Sequence, residues 1–484
     1  MPPRPPLLKS KLFWVGVLYF AEGFPFGLFY DVFPVHFRQR GVDLREIGLL
    51  SLVGLAWTIK FLWAPAVDYY RHHRRWMLLV DVGMGATLIF LAMQAGFGPP
   101  VWFAIALFTL FSATNDIAID GYTIELLSKK ELGLANGVRI GMARVGILAA
   151  GVTLILSDYL GWSGAYTVAA VIVALLGFVC LAAPKEIDVN VTPQRFFLLK
   201  LLAAALALGL VGYLAYLGLL TTIHAFVERS SLTTGITVVL TVLILAAAAS
   251  LLLRSRSQPA AVAEQSASVP LLSALAEMLK RPYMIPVILF VLTFKLGDAA
   301  MGFMVKPFWV DAGFSATQIG LVSVNIGLVL SILGGLAGGW FTDRVGIFKA
   351  IWILGLFQAA SNLGYVWAAS AIPPVGAGLA VTFDHKVILY AASAGESFTG
   401  GLGTAAFLAF LMSIVNKKYS AAEYALLSSL FALTRHLSGF ASGIGAHYMG
   451  YAPYFLLTFF LSFPAYLLLP WVGKMLVQVN AQKD

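Results

Sequence analysis

Long apolar stretches follow one another along almost the whole chain, and only short polar loops separate them. A helix that crosses a membrane needs about 20 mostly apolar residues, because it must span roughly 30 Å of hydrocarbon. Such stretches form two groups of six, near residues 13–35, 47–67, 77–97, 101–124, 138–157 and 163–183, and near 284–309, 317–341, 350–370, 387–413, 424–446 and 452–473. Two more, near 198–223 and 234–253, lie between the groups. The pattern predicts an all-α polytopic membrane protein with fourteen transmembrane helices.

These stretches divide the chain into four predicted regions. Residues 1–190 form one six-helix bundle, residues 191–256 add two transmembrane helices, and residues 284–484 form a second six-helix bundle. Residues 257–283 connect them, with a Ser-, Ala-, Gln- and Pro-rich segment typical of flexible linkers. The sequence LLSALAEMLKRP that follows has the apolar spacing of an amphipathic helix. We expect this connection to lie on the cytoplasmic side.

The composition agrees with a membrane protein and excludes a soluble one. Apolar side chains make up 60% of the residues and charged side chains 11%, whereas soluble domains carry about 25% charged residues. The net charge of +9 is dispersed among loops, so it does not indicate a nucleic-acid partner. Lys and Arg accumulate in alternate loops, which predicts that both termini are cytoplasmic. Glu22, Pro25 and Asp31 interrupt the first apolar stretch, so we expect a retained span rather than a signal peptide.

An internal repeat relates the two groups of six spans. GVDLREIGL (41–49) resembles GFSATQIGL (313–321), and each opens the second span of its group. Arg144 of the fifth span corresponds to Arg435 of the fifth span in the second group. Parallel six-span repeats are a known architecture of secondary transporters. The repeat therefore favours a transporter over other membrane proteins.

Ionisable residues inside the predicted spans are the candidate functional residues. A charged side chain near the bilayer centre costs a few kcal/mol and usually faces a polar cavity. The acids at such positions are Glu22, Asp31, Asp116, Asp120, Asp298 and Glu396, and the bases are Lys60, Arg139, Arg144, Lys295, Lys306 and Arg435. Their balanced numbers are consistent with a charged pathway between helices.

Asp116 and Asp120 lie four residues apart, so both carboxylates share one helix face. Two neighbouring carboxylates tend to hold a proton between them. We therefore expect one of them to participate in proton coupling, with Glu22, Asp31 and Glu396 as further candidates. The alternative is that Asp116 and Asp120 pair with bases only to hold helices together.

The bases are candidate ligands of a negatively charged group on the transported solute. Lys60, Arg144 and Arg435 have no acid nearby on their own spans, and Arg139 joins them as a candidate. Lys295 and Asp298 are also candidates for substrate binding, although a spacing of three residues allows them to pair with each other.

A gate is predicted from GGWFTDRVGIFK (338–349), which resembles the cytoplasmic loop signature of the major facilitator superfamily. Asp343 and Arg344 could form a latch between helices, and Asp68 with Arg71 would be the copy in the first half. The alternative is that these charges only end a span.

An enzyme embedded in the membrane is the competing class of function. Enzymes of this kind need a nucleophile with a base, or clustered metal ligands, and the seven histidines show no zinc-ligand spacing. We therefore predict no catalytic residue, no metal ion and no cofactor.

Four motifs carry a closer family resemblance, in both halves of the chain. GVDLREIGLLSLVGLAWTIKFLWAPAVD, FSATNDIAIDGY, FKLGDAA and GGLGTAAFLAFLMSIVNKKYSAAEYALLSSLFALTRHLSG resemble the AmpG-like muropeptide permeases of the major facilitator superfamily. Shorter elements also look like acetyl-coenzyme A transporters and some siderophore permeases. The resemblance implies that eight ionisable residues match positions of that family's motifs, namely Lys60, Asp116, Asp120, Arg144, Lys295, Asp298, Glu396 and Arg435.

The resemblance implies a major facilitator fold of two six-helix bundles plus two central helices. It implies a monomeric, proton-driven importer of anhydromuropeptides in the bacterial inner membrane, with small solute, protons and membrane lipid as its partners. Glu22 and Asp31 stand where the permeases look uncharged, and Arg139 is an additional base. The extra acids leave acyl-coenzyme A, a siderophore, a small peptide or another zwitterionic or cationic solute as alternative substrates.

Overall fold

The computed structural model describes residues 10–60, 63–64, 66–67, 72–94, 96–127, 132–185, 278, 281–374, 380–415 and 420–481. These residues belong to one compact unit made of Met1–Asp188 and Pro270–Asp484. The two predicted central helices, almost all of the linker 257–283, and the gate residues Asp68 and Arg71 lie outside the described residues. The four-region division of the chain stays a prediction.

The first half of the described chain consists of helices. They are α1 (Lys11–Gln39), α2 (Leu44–Val53), α3 (Leu55–Ile59), α4 (His73–Ala92), α5 (Pro99–Leu126) and α6 (Leu132–Leu181). The long α6 contains the predicted fifth and sixth spans, and it is interrupted between them at Gly161, where φ is 69°. Glycine adopts this left-handed conformation without a steric penalty, so the chain can change direction there.

The second half repeats this organisation. Its helices are α7 (Met284–Asp311), α8 (Ala316–Val345), α9 (Ile347–Ala371), α10 (Phe383–Ser413), α11 (Ser420–Met449), α12 (Tyr451–Leu467) and α13 (Leu469–Ala481). The last two are the halves of one broken helix, and they meet at 43°.

The prediction of an all-α membrane protein is confirmed. Seven helices of the described part, α1 and α4 to α9, are long and apolar enough to cross a membrane, and the bent pair α12 and α13 makes eight. The remaining long helices, α10 and α11, have 31 and 30 residues. The predicted second span is present as α2 and α3, which Gly54 separates. The count of fourteen spans stays a prediction.

The two halves pack together at one end of the described structure. One buried apolar cluster contains residues of both halves, including Phe33 and Tyr166 of the first and Phe308 and Trp309 of the second. Two other clusters are each built from a single half, and they include Trp14, Met77 and Cys180 in the first half and Met284, Phe410 and Leu476 in the second. The apolar core is thus continuous between the halves at one end and divided at the other.

Within the first half, α1 and α6 approach each other through glycine. An added Cβ at Gly23 would lie 2.8 Å from the carbonyl carbon of Ala143, and one at Gly146 would lie 2.8 Å from the amide nitrogen of Phe24. Small residues allow such close contact between membrane helices, where packing rather than water exclusion drives association.

We expect Gly23→Ala to destabilise the protein, because the new methyl group has no space against the backbone of α6. Overpacking of this kind costs about 1–3 kcal/mol. Gly137→Ala is the matched control, since no described atom lies within 4 Å of its added Cβ. Thermal unfolding of the detergent-purified variants measures the effect, and equal melting temperatures for the two variants would contradict this packing argument.

Candidate functional site

Three carboxylates from two helices meet in the first half. Glu22 lies on α1, and Asp116 and Asp120 lie one turn apart on α5. One oxygen of each lies within 4.8 Å of the others. The Asp116 side chain is 12% exposed and that of Asp120 is 36% exposed, so the group extends from the interior toward an accessible surface. The Glu22 Oε2 atom is inaccessible and accepts no hydrogen bond from the described residues.

Two bases neutralise part of this carboxylate cluster. The Lys60 ammonium, at the end of α3, donates to Asp116 in a direct ion pair, and it lies 3.8 Å from Asp120 Oδ2. Arg139 of α6 donates from Nη2 to Asp120 Oδ1 at 2.7 Å. Tyr19 donates its hydroxyl proton to the same oxygen at 2.6 Å, and the Arg139 guanidinium lies 4.5 Å from the centre of the Tyr19 ring. Asp120 is therefore held by two donors and Asp116 by one.

The charges in this cluster do not cancel. Three carboxylates face two bases, so one negative charge is left over. A metal cation is poorly suited to the excess charge, because the Lys60 ammonium already contacts both Asp116 and Asp120. One proton restores neutrality, and two adjacent carboxylates can share it.

A second set of charges lies on α7, α10 and α1. Lys306 of α7 lies 3.6 Å from Asp31 of α1 and donates to the hydroxyl of Ser323 at 2.7 Å. Lys295 lies 3.4 Å from Asp298, as the spacing of three residues allows, and donates to the Gly400 carbonyl at 3.3 Å.

Glu396 of α10 belongs to the same set. It interacts electrostatically with Asp298, Lys306 and Lys295, and its Oε2 accepts a hydrogen bond from Ser397 at 3.3 Å. The structure thus brings Asp31, Lys295, Asp298 and Glu396 into one network, in which Lys306 connects the two halves.

Two arginines from corresponding positions of the two halves lie within electrostatic range of each other. Arg144 of α6 and Arg435 of α11 are close enough to repel each other electrostatically. The Arg435 guanidinium lies 4.4 Å from the centre of the Tyr30 ring. Among the described residues neither arginine forms an ion pair with an acid, and Arg144 is exposed. The pair is therefore available to a negatively charged ligand, in contrast to Lys60 and Arg139.

Comparisons with known proteins identify the fold and the relatives of this chain. A family model described as Major Facilitator Superfamily matches residues 15–254. The crystal structure of a peptide transporter, POT, in complex with alafosfalin superposes with a TM-score of 0.64 at 14% identity, covering 96% of this chain and 95% of that one. The chain has the helical fold of a major facilitator transporter, and its residues 15–254 match that superfamily. Transport rather than enzymatic catalysis, as the sequence predicted, is thereby confirmed.

Relatives of this transporter extend along nearly the whole chain. An anhydromuropeptide permease of Escherichia coli (strain K12) is 28% identical over 468 residues, which cover 94% of this chain and 78% of that permease. A protein of Haemophilus influenzae described only as uncharacterized is 29% identical over 477 residues, which cover 95% of this chain and 94% of that protein. The predicted resemblance to the AmpG-like permeases is confirmed.

Polar contacts fasten the two halves of the transporter at the end where their apolar core is continuous. The Nε atom of Arg38, at the end of α1, lies 2.6 Å from Oδ1 of Asp311, at the end of α7. The hydroxyl of Tyr451, on α12, donates to Oδ2 of Asp311 at 2.6 Å. Asp43 lies 3.0 Å from His447 of α11. We call this set the Arg38 latch. In a protein whose halves rock, contacts confined to one end hold that end closed.

Neighbouring groups lower the pKa of Asp43, the loop acid of the Arg38 latch. Partial burial opposes ionisation of Asp43, but hydrogen bonds from Arg45 and the charge of His447 outweigh it and hold the pKa of Asp43 below its usual value. Asp43 is therefore ionised at neutral pH and attracts His447 when that ring is protonated.

We expect Asp311→Asn to open the latched end more often, because it removes the charge that Arg38 and Tyr451 share. A cysteine at Ser51, which is fully buried beside α11, reports this opening in a Cys180→Ala background. Its maleimide labelling should accelerate about 5- to 10-fold, the range of a modest conformational coupling. Asp384→Asn, at an exposed acid of α10, serves as the control, and equal labelling rates in the two variants would contradict the latch.

The predicted gate residues of the second half lie at the end of α8. Asp343 and Arg344 are both exposed, and the Arg344 guanidinium lies 4.3 Å from the centre of the Trp340 ring on its own helix. Neither forms an ion pair with another described residue. The gating role of this pair stays a prediction, as does that of Asp68 and Arg71.

Sequence reasoning missed two buried or partly buried polar residues, Tyr19 and Asp81, and named Lys306 without giving it a role. Tyr19 gave no signal, because a tyrosine in a span is usually a lipid or packing contact. Lys306 was only one of several bases. Asp81 of α4 is buried, and it accepts a hydrogen bond from Asn115 at 2.8 Å. An acid inside a predicted span was the available signal for Asp81.

Proposed function

We propose that this transporter carries anhydromuropeptides together with protons into the cytoplasm, across the inner membrane of a bacterium. Support for this cargo comes from the similarity to the Escherichia coli anhydromuropeptide permease over 94% of the chain. The distribution of Lys and Arg among the loops supports a topology with both termini in the cytoplasm, and in that topology the Arg38 latch lies on the opposite side of the membrane. Because both halves that surround the charges belong to one chain, a monomer is sufficient, with lipid around exposed apolar side chains such as Leu79, Phe103 and Trp367.

The observation that supports proton coupling is the excess carboxylate of the first half. Asp120 is neutralised by Arg139 and Asp116 by Lys60, which leaves Glu22 as the third acid. A proton held between Glu22 and Asp116 neutralises the excess charge and gives the unpartnered Glu22 Oε2 a hydrogen-bonding role. The group loads a proton when it faces one side of the membrane and releases it when it faces the other.

The arginine pair is the proposed ligand for the cargo. A muropeptide carries carboxylates on its peptide, and guanidinium groups bind carboxylates through paired hydrogen bonds. Arg144 and Arg435 come from different halves, so an anion bound between them would relieve their repulsion and draw the halves together. Glu22 and Asp31 stand where the permeases look uncharged, but they do not prevent an anion from binding to the arginine pair. Glu22 lies in the carboxylate cluster, and Asp31 pairs with Lys306.

Uptake into proteoliposomes tests the proposal. Purified transporter is reconstituted and offered labelled anhydromuropeptide, acyl-coenzyme A or a ferric siderophore, with and without an imposed proton gradient. We expect accumulation of unaltered muropeptide only when the gradient is present. Gradient-driven accumulation of another solute alone would overturn the cargo and keep the proton coupling, whereas equal muropeptide uptake without a gradient would overturn the coupling.

A further inference from the structure

Three half-buried aromatic rings of α1 and α3 form one continuous surface, and we call Phe26, Tyr30 and Trp57 the aromatic platform. The ring centres of Phe26 and Tyr30 lie 4.4 Å apart, and that of Trp57 lies 5.4 Å from Phe26 and 5.8 Å from Tyr30. The planes of the Tyr30 and Trp57 rings are inclined by only 32°. The buried Phe29 contacts both of these rings, at 4.9 and 5.1 Å, so their positions are fixed by packing.

The aromatic platform borders the carboxylate cluster on one side and the arginine pair on the other. Glu22 and Phe26 are four residues apart on α1, so they share one side of that helix. The ring contact between Phe26 and Tyr30 continues this side through the π-helical stretch, and the Arg435 guanidinium lies 4.4 Å from the centre of the Tyr30 ring. A carboxylate inside a span faces a polar cavity rather than lipid. The partly exposed rings on the side of Glu22 therefore face the same pathway.

The platform also carries two hydrogen-bond donors. Neither the hydroxyl of Tyr30 nor the indole N–H of Trp57 donates a hydrogen bond to a residue that the structure describes, whereas the indole N–H of Trp63 donates to Thr114 at 3.1 Å. Tyrosine hydroxyls and tryptophan N–H groups usually find a partner when they are buried. The platform thus combines flat apolar faces with donors available to a ligand, which a surface that only packs against other helices does not need.

We propose that the aromatic platform binds the sugar part of the cargo, while Arg144 and Arg435 bind the carboxylates of its peptide. One face of a pyranose ring presents C–H groups, and its rim presents hydroxyl and acetamido oxygens that accept hydrogen bonds. Aromatic side chains bury a large rigid area against such a face, and their polar atoms reach the rim. The contact between Arg435 and Tyr30 makes the two sites adjacent, as a molecule whose peptide is attached to its sugar requires. This inference rests on the proposed cargo, and it adds the residues that recognise the sugar.

Two fragments of the cargo test the platform by titration calorimetry of the detergent-purified protein. One is the disaccharide of N-acetylglucosamine and anhydro-N-acetylmuramic acid with its carboxyl group amidated, which has sugars but no carboxylate. The other is the free stem peptide, which has carboxylates but no sugar. We expect Trp57→Ala to weaken binding of the disaccharide and of whole anhydromuropeptide about 10-fold, and binding of the peptide less than about 2-fold, on the scale of one aromatic contact. Trp57→Phe, which keeps a ring, should recover most of the affinity.

Matched variants separate contact with sugar from packing. Trp102→Ala removes another half-buried tryptophan that packs against the same apolar cluster as Trp57, and it should bind both fragments as the wild type does. Arg144→Gln should weaken binding of the peptide and leave that of the amidated disaccharide unchanged. The disaccharide should change the tryptophan fluorescence of the wild type and of Trp102→Phe, and this change should be lost in Trp57→Phe. A residue that only supports the fold would not produce that difference.

Each outcome decides between the ideas. If the disaccharide binds through Trp57 but no muropeptide enters proteoliposomes, the cargo is wrong and the sugar platform stands. If muropeptide is imported but Trp57→Ala binds the disaccharide as the wild type does, the platform is wrong and the cargo stands. Equal losses for disaccharide and peptide would also overturn the platform, because they would indicate damage to packing. So would binding of acyl-coenzyme A through Trp57 without binding of the disaccharide, since aromatic rings also stack on a nucleobase.

Discussion

Replacing Glu22 by glutamine is expected to abolish proton-driven accumulation while leaving the protein folded. Glu22 is the third carboxylate of a cluster that has two bases, so the substitution leaves two acids facing two bases and no group that needs a proton. The ion pairs of Lys60 and Arg139 are untouched, so the melting temperature should stay close to that of the wild type. Accumulation of labelled muropeptide under a proton gradient should fall about 100-fold, toward the upper range of coupling between two binding events.

Two further variants make the test of Glu22 specific. Glu46→Gln changes an exposed glutamate of α2 and should accumulate cargo normally. Asp116→Asn should also lose accumulation, but with lower stability, because it removes the direct ion-pair partner of the partly buried Lys60 ammonium. A Glu22→Gln transporter that still concentrates cargo against its gradient would show that the coupling proton is held elsewhere.

Removing the arginine pair is expected to abolish cargo binding. Arg144 and Arg435 are both without an acid partner among the described residues, so each is free to donate paired hydrogen bonds to a carboxylate. A hydrogen bond to a charged group contributes about 1.5–3 kcal/mol, which corresponds to roughly a 10- to 150-fold loss of affinity for each arginine replaced by glutamine. Titration calorimetry of detergent-purified protein with anhydromuropeptide measures the loss.

The matched controls address charge and geometry separately. Arg75→Gln, at an exposed arginine of α4, should bind cargo as the wild type does. Arg435→Lys keeps the charge but not the planar guanidinium, so it should recover only part of the affinity. A cargo analogue whose carboxylates are amidated should bind wild type and double variant equally weakly. Wild-type affinity in the Arg144→Gln, Arg435→Gln double variant would exclude these arginines as the cargo site.

The charged groups are distributed differently over the two halves of the molecule. The first half contains the carboxylate cluster with its excess acid, and the second half contains Glu396 and Lys306. The arginine pair has one member in each half. The Arg38 latch closes one end, where the apolar core is continuous. In the proposed mechanism, the proton binds in the first half and the cargo binds between the two halves.

The sequence by itself determined the class of the protein and the positions of its helices. Spans of about 20 apolar residues have few alternatives to a membrane helix, because an unpaired backbone amide in hydrocarbon is too costly. The same cost made every ionisable residue inside a span a functional candidate, which is how Glu22, Asp116, Arg144 and Arg435 were found. The repeat then predicted two related halves.

Only the tertiary structure decided which charges pair. Lys60 lies more than fifty residues before Asp116 in the sequence, yet its ammonium forms an ion pair with that carboxylate, whereas Arg144 pairs with no described acid. Pairing depends on which face each helix turns toward its neighbours, and π-helical turns such as Leu28–Val32 rotate that face without changing the apolar pattern. The link from Asp31 to Lys306 was invisible in the sequence for this reason, since periodicity constrains a helix but not the partner that its side chains meet.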